Sequence, residues 1–194
     1  MLLFSKKDLI LNADSDTNII IITGVSGAGK TTMANELKDK IKYEIISFDI
    51  LFNYELEREP NDLENEIITS FLKKYPKYKD FSKNKNSKTV CTDFYLFVEE
   101  YVNKNNIKIL FDGAFFMNKI DYKLFKKNKI IYKRTSILRC IINRQKRTTK
   151  VIKDKNYSFI RKMKEYYWSF RYSIKTVPEW IRTNNYFVKT INER

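Results

Sequence analysis

The chain has 194 residues, 31% charged and 43% apolar, with 14 Phe, 13 Tyr and 2 Trp. That length suits one domain with its own core, in a composition too apolar for disorder and too charged for a membrane-embedded protein. The formal net charge is +15 and histidine is absent, which excludes serine–histidine nucleophiles and histidine metal sites.

The start, MLLFSKKDLI, lacks a basic leader followed by an apolar stretch and a cleavage site, so no signal peptide is expected. The longest aliphatic run, Ile19 to Ile22, is far below a bilayer span. After a short N-terminal extension, NIIIIT predicts a strand at 18–23. TTMANELKDKI predicts a helix at 31–41, with Met33, Leu37 and Ile41 on one face. YEIISF (43–48) reads as a second strand ending at Asp49. Residues 50–105 read mainly as helix, most clearly in LENEIITSFLKKY and TDFYLFVEEYVNK, interrupted by the polar patch SKNKNSK at 82–88. A third strand, IKILF, runs into Asp112-Gly113.

A short helix around 119–127 leads to a fourth strand, KIIYK. Two helices follow, from about Ser136 to Lys150 and from about Asn156 to Ile174, and YFVKT near the end predicts a fifth strand. Strand–helix alternation of this kind calls for right-handed crossovers and a parallel sheet covered on both faces. The expected fold is α/β, in three layers, as one domain over 1–194.

The charge is local. Between Lys119 and Lys164 there are 17 Lys/Arg against Asp121 and Asp154. Such an excess is the footprint of an anion site, a nucleic acid among the possible partners, or else a solvated basic face. Cys91 and Cys140 have no CxxC spacing, which speaks for a reducing, cytoplasmic setting and against structural zinc.

The decisive motif is Gly24-Val25-Ser26-Gly27-Ala28-Gly29-Lys30-Thr31-Thr32, which fits G-x-x-x-x-G-K-[ST] between a predicted strand and a predicted helix. Glycines let successive backbone N–H groups turn inward on a phosphate, and the helix N-terminus adds unpaired donors and its dipole. Lys30 supplies a cation to the β- and γ-phosphates of ATP, and Thr31 a hydroxyl to Mg²⁺. Three of the chain's four glycines fall in this motif, and the fourth, Gly113, follows Asp112. Asp112 closes the third strand, where a carboxylate orients Mg²⁺; the alternative is a helix cap.

A kinase needs a base, an acceptor pocket and a cationic lid. Asp49, at a strand carboxyl end, is the candidate base, with a helix cap as its plain alternative. Residues 50–105 are the candidate acceptor-binding insertion, in which Phe52, Tyr54, Phe94, Tyr95 or Phe97 stack on a base or simply form core. The candidate lid is 134–155. At about 100° per residue, Arg139, Asn143, Lys146 and Lys150 share a stripe flanked by Arg147, while Arg144 points towards the apolar side.

These residues resemble the small P-loop kinases, most closely the uridine kinase and phosphoribulokinase-like branch. The resemblance runs from Asn18 to the C-terminus through GVSGAGKTT, ISFD, FDGAFF, the R-x-x-R at Arg144–Arg147 and the tail VPEWIRTNNYFVKT. It implies a five-stranded parallel sheet in the order 2-3-1-4-5 and a helical lid. It further implies ATP and Mg²⁺ on Lys30 and Thr31, Asp49 as the base, and lid arginines closing on the phosphates. The chain departs from that branch in having Asp49-Ile50-Leu51-Phe52 in place of D-S-F-Y, and Thr148 where an acidic residue follows the R-x-x-R. The activity expected is γ-phosphoryl transfer to a hydroxyl of a small metabolite, a nucleoside first. The alternatives are a nucleic-acid 5′-hydroxyl as acceptor, reached through the basic 119–164 segment, and a non-enzymatic nucleotide switch.

Overall fold

A computed structural model describes residues 9–11, 17–48, 59–79, 87–113, 120, 124, 127–155, 157–175 and 177–192. At its centre is strand β2 (Ile19–Thr23), buried along its whole length. An unbroken aliphatic run suits a strand covered on both faces, with successive side chains serving opposite layers. Ile20 and Ile22 meet Met33, Ala34 and Leu37 of helix α1 (Lys30–Ile41). Ile19 and Ile21 belong to the larger core on the other face, built with helices α2 (Asp62–Lys74) and α3 (Lys88–Lys104).

Strands β4 (Ile109–Gly113) and β5 (Lys129–Tyr132) flank β2 in parallel, and β3 (Glu44–Ser47) lies parallel beyond β4. The four parallel strands keep the order that the resemblance implies. The fifth place differs. It is taken by β1 (Leu9–Leu11), which runs antiparallel to β5 with Leu9 opposite Tyr132 and Leu11 opposite Ile130. The expected fifth strand, YFVKT, lies instead within helix α6 (Val177–Asn192). Trp180, Thr183 and Asn184 turn inward at helical spacing while Ile181 and Tyr186 stay exposed. The edge of β5 is already paired with β1, so the tail's strand-forming residues find no partner there.

The 50–105 segment is helical where it is described, but its rings are core. Phe94, Tyr95 and Phe97 are buried, with Phe94 edge-on to Phe71 at 5.1 Å and Tyr95 stacked over Phe111 at 6.3 Å. Those three rings cannot stack on a substrate, because the sheet has claimed them. Asp49, Phe52 and Tyr54 lie outside the described residues, as does most of the short helix expected at 119–127.

Buried Glu64 ties the far edge of the sheet to α2. Its carboxylate accepts from the Ser47 amide at 2.8 Å and from the Asn61 amide at 2.9 Å, while the Asn61 side chain caps the helix. On the β5 side, helices α4 (Ile137–Asp154) and α5 (Phe159–Lys175) pack side by side, and α6 follows α5. Among the described residues no helix is long and apolar enough to cross a membrane.

Candidate nucleotide-binding site

The motif forms a tight turn between β2 and α1. Ala28 N donates to Val25 O at 3.1 Å, and Gly27 and Gly29 hold φ of 83° and 88°. Side chains rarely adopt that region, so glycine is a backbone requirement here. At Gly27 there is also no room: a Cβ would stand 2.5 Å from Cys140 O. The turn therefore rests directly on α4.

Three more contacts fix it. Asn143 Nδ2 donates to Gly27 O at 2.8 Å, and Thr135 Oγ1 donates to Ala28 O at 3.0 Å. Trp180 Nε1 donates to Thr135 O at 2.8 Å, and its ring packs on Val25, Ala28 and Cys140. With the Gly27 and Ala28 carbonyls engaged in this way, the turn is held in place by α4 and the residues just before it. Burial pushes the Cys140 thiol upward in pKa, so it stays protonated and acts here as packing.

Against the loop lies a cleft of about 680 Å³, with Thr135 and Asn143 themselves in its wall. Ser26 to Thr32 line it, and so do Asp112, Arg139, Arg144 and Arg147. Lys30, nearly buried, donates from Nζ to Val25 O at 3.2 Å. Thr31 Oγ1 donates to Asp112 Oδ2 at 2.8 Å. Arg144, also nearly buried, donates from Nε to Ser26 Oγ at 3.2 Å and lies over the Tyr172 ring at 4.4 Å. The cleft holds seven Lys/Arg against Glu36 and Asp112 among the described residues, a field suited to a polyphosphate.

Gly24 and Val25 serve the loop from beneath. Val25 packs on Cys140, and a Cβ on Gly24 would stand 2.9 Å from Lys133 O. Lys150, placed by its spacing on the stripe of Arg139, does not line the cleft.

The chain's residues fit a hard divalent cation shared with a phosphate. The Thr31 hydroxyl and the Asp112 carboxylate form an oxygen pair where the loop meets β4, and no cluster of three or more acidic or sulfur ligands exists among the described residues. That donor set suits Mg²⁺, whose other ligands are phosphate oxygens and water.

A family model described as "Chromatin associated protein KTI12" matches residues 18–169. The chain belongs to the KTI12 family. The match spans β2 through most of α5 and so takes in the loop, Asp112 and the α4 arginines, but not β1 or α6. No curated protein matches the chain. Among solved structures it is similar to a deoxyadenosine kinase from M. mycoides, solved with products dCMP and a flexible dCDP bound. The identity is 19% over 87% of this chain and 85% of that one, with a TM-score of 0.31, too low to bear on the site. Within the KTI12 family, then, this member is a nucleotide-binding P-loop protein of α/β fold.

Asn143, Thr135 and Trp180 support the loop, and no sequence motif singles them out for it. Asn143 stood on the cationic stripe, but its role as a clamp on Gly27 has no motif. Trp180 sits in the tail VPEWIRTNNYFVKT, of which local propensity reads only YFVKT, as a strand.

Proposed function

We propose that the cleft binds ATP with Mg²⁺ and that the protein transfers the γ-phosphoryl group to a hydroxyl of a small acceptor, with a nucleoside as the first candidate. The carrying observation is the Thr31–Asp112 pair set beside Lys30 under a glycine turn with positive φ. Lys30 and the loop amides hold the β- and γ-phosphates, and the bound Mg²⁺ offsets charge on the triphosphate. Arg139, Arg144 and Arg147 supply further cations as charge spreads over the transferred group.

In the transfer the acceptor oxygen forms a bond to the γ-phosphorus while the bond to the β–γ bridging oxygen breaks. That electron pair leaves with the nucleoside diphosphate, and the hydroxyl proton passes to Asp49, our candidate base. The nucleoside acceptor is supported by the resemblance in ISFD, FDGAFF and R-x-x-R. The segment 134–155 is proposed as the cationic cover of the site. Both cysteines are buried thiols outside any disulfide, in keeping with a reducing, cytoplasmic setting.

A second reading makes the acceptor a nucleic-acid 5′-hydroxyl. The half-exposed Tyr167 and Trp168, the cation of Arg171 over Trp168 at 5.4 Å, and the chromatin-associated description of the family favour it. Asn118-Lys119-Ile120-Asp121 also spells N-K-x-D, the guanine-reading pattern of GTPases, and all but Ile120 lies outside the described residues. GTP is therefore tested beside ATP.

The test is an ADP- and GDP-release panel, with and without Mg²⁺, across nucleosides, nucleotides, sugars and 5′-hydroxyl oligonucleotides. Acceptor-dependent, saturable release that is lost in Asp49→Asn, with triphosphate binding kept, supports the transfer. Release that no acceptor alters leaves a nucleotide-binding switch or a simple hydrolase, and defeats it.

A further inference from the structure

Beside the cleft lies a second hollow of about 420 Å³ between α4 and α5. Ser26, Arg144 and Arg147 line both spaces. The far wall is α5, which contributes Glu165, Trp168 and Tyr172. Below them Thr148 Oγ1 donates to Ser169 Oγ at 2.7 Å and joins the two helices. Lys30 Nζ marks the β/γ end of a bound triphosphate, and it lies 3.2 Å from Val25 O. Ser26, near the start of the same loop, lines both hollows, so a triphosphate held by Lys30 has its transferable end towards their shared wall.

From this junction we infer that the α4–α5 groove is the acceptor subsite and takes a nucleoside unit with its base against Trp168. The inference rests on γ-phosphoryl transfer as read above and places the acceptor in this groove instead of the 50–105 insertion that follows β3; it does not depend on Asp49 as the base. Three observations carry it. The groove borders the phosphate cleft at Arg144, whose guanidinium is held between Ser26 and the Tyr172 ring. Trp168 is 57% exposed, so it offers a flat apolar face where Phe94, Tyr95 and Phe97 offer none. Glu165 is a carboxylate within a basic wall, able to accept from sugar hydroxyls, while Arg144 and Arg147 stand at the mouth. A planar base with hydroxyls on its sugar matches that lining, and a simple sugar or an aliphatic alcohol would leave the ring uncovered.

A free nucleoside and the terminal unit of an oligonucleotide share this chemistry, so both are used as probes. The full chain is loaded with a non-hydrolysable ATP analogue and Mg²⁺. It is then titrated calorimetrically with adenosine, cytidine, guanosine, uridine and a 5′-hydroxyl tetranucleotide. At least one probe is expected to bind saturably. Trp168→Ala should weaken that probe roughly tenfold or more, Trp168→Phe should keep most of the affinity, and neither should move the analogue's Kd. Saturation by a mononucleoside identifies a free acceptor, and saturation by the tetranucleotide alone identifies a chain end. Equal probe affinity in wild type and Trp168→Ala overturns the subsite and leaves the transfer reading standing. So does analogue binding with no probe binding. Failure of the analogue itself to bind defeats the transfer reading first.

Discussion

Thr31 and Asp112 are 81 positions apart in the chain, yet the Thr31 hydroxyl donates to an Asp112 carboxylate oxygen at 2.8 Å. The pairing follows from the sheet. β2 and β4 run parallel with Ile22 beside Asp112 and Thr23 beside Gly113, so the carboxylate ends where the loop leaves β2. A metal held there depends on both residues.

Asp112→Asn should therefore separate metal from nucleotide. The amide keeps one acceptor for Thr31 but loses the charge that draws Mg²⁺. Calorimetry should show triphosphate affinity in Mg²⁺ falling by roughly tenfold, a loss near the value of a charged hydrogen bond. In EDTA the mutant and wild type should bind alike. Equal affinities in both conditions would remove Asp112 from the metal site.

Lys30→Ala takes away the cation at the β/γ end. Removing one preorganised donor to developing charge lowers turnover by roughly 10² to 10³ in comparable sites. Single-turnover release of nucleoside diphosphate measures this, and a loss below about threefold would contradict the assignment.

Two glycines in the same turn should respond differently to alanine. Gly29 has open space around a built Cβ, so Gly29→Ala meets only its φ of 88° and should cost about 1 kcal/mol. Gly27→Ala adds the clash with the Cys140 carbonyl and must push α4 off the loop. It should lower Tm further and abolish triphosphate binding. Thermal melts with and without ATP·Mg²⁺ compare the two.

Glu64→Ala tests the far edge. It strands the Ser47 amide and the Asn61 amide, the latter being the reciprocal half of the α2 capping box, while the Asn61 side chain still caps the helix. The two losses together are worth about 2 to 4 kcal/mol. Urea unfolding should show that loss in midpoint with little change in slope. Because Ser47 lies two residues before Asp49, phosphoryl transfer at saturating substrate should also fall in the folded fraction, while the Kd for triphosphate holds.

The loop, the buried β2 run and the helical face of Met33 and Leu37 were legible from the amino acids because each is a local matter. Spacing sets which side chains share a face, and positive φ demands glycine wherever the backbone needs it. The same applies to the Ser136 cap that starts α4, whose hydroxyl accepts from the Arg139 amide.

What the sequence by itself determined is thus a phosphate-binding turn on an α/β sheet, with a basic helix to follow. Tertiary structure decided the rest. The three residues Leu9–Leu11 are too short to announce a strand, and they become one because β5 has an open edge to pair with. YFVKT prefers extended backbone locally but is helical here, and within that helix Trp180 seats on Val25 and Cys140 beneath the loop. Phe94 and Tyr95 are core because Phe71 and Phe111 meet them, a matter of which surfaces lie opposite. Periodicity records the face a residue takes. It does not record the partner waiting there, because that partner comes from a distant part of the chain and is chosen by the free edges and surfaces left when the sheet assembles.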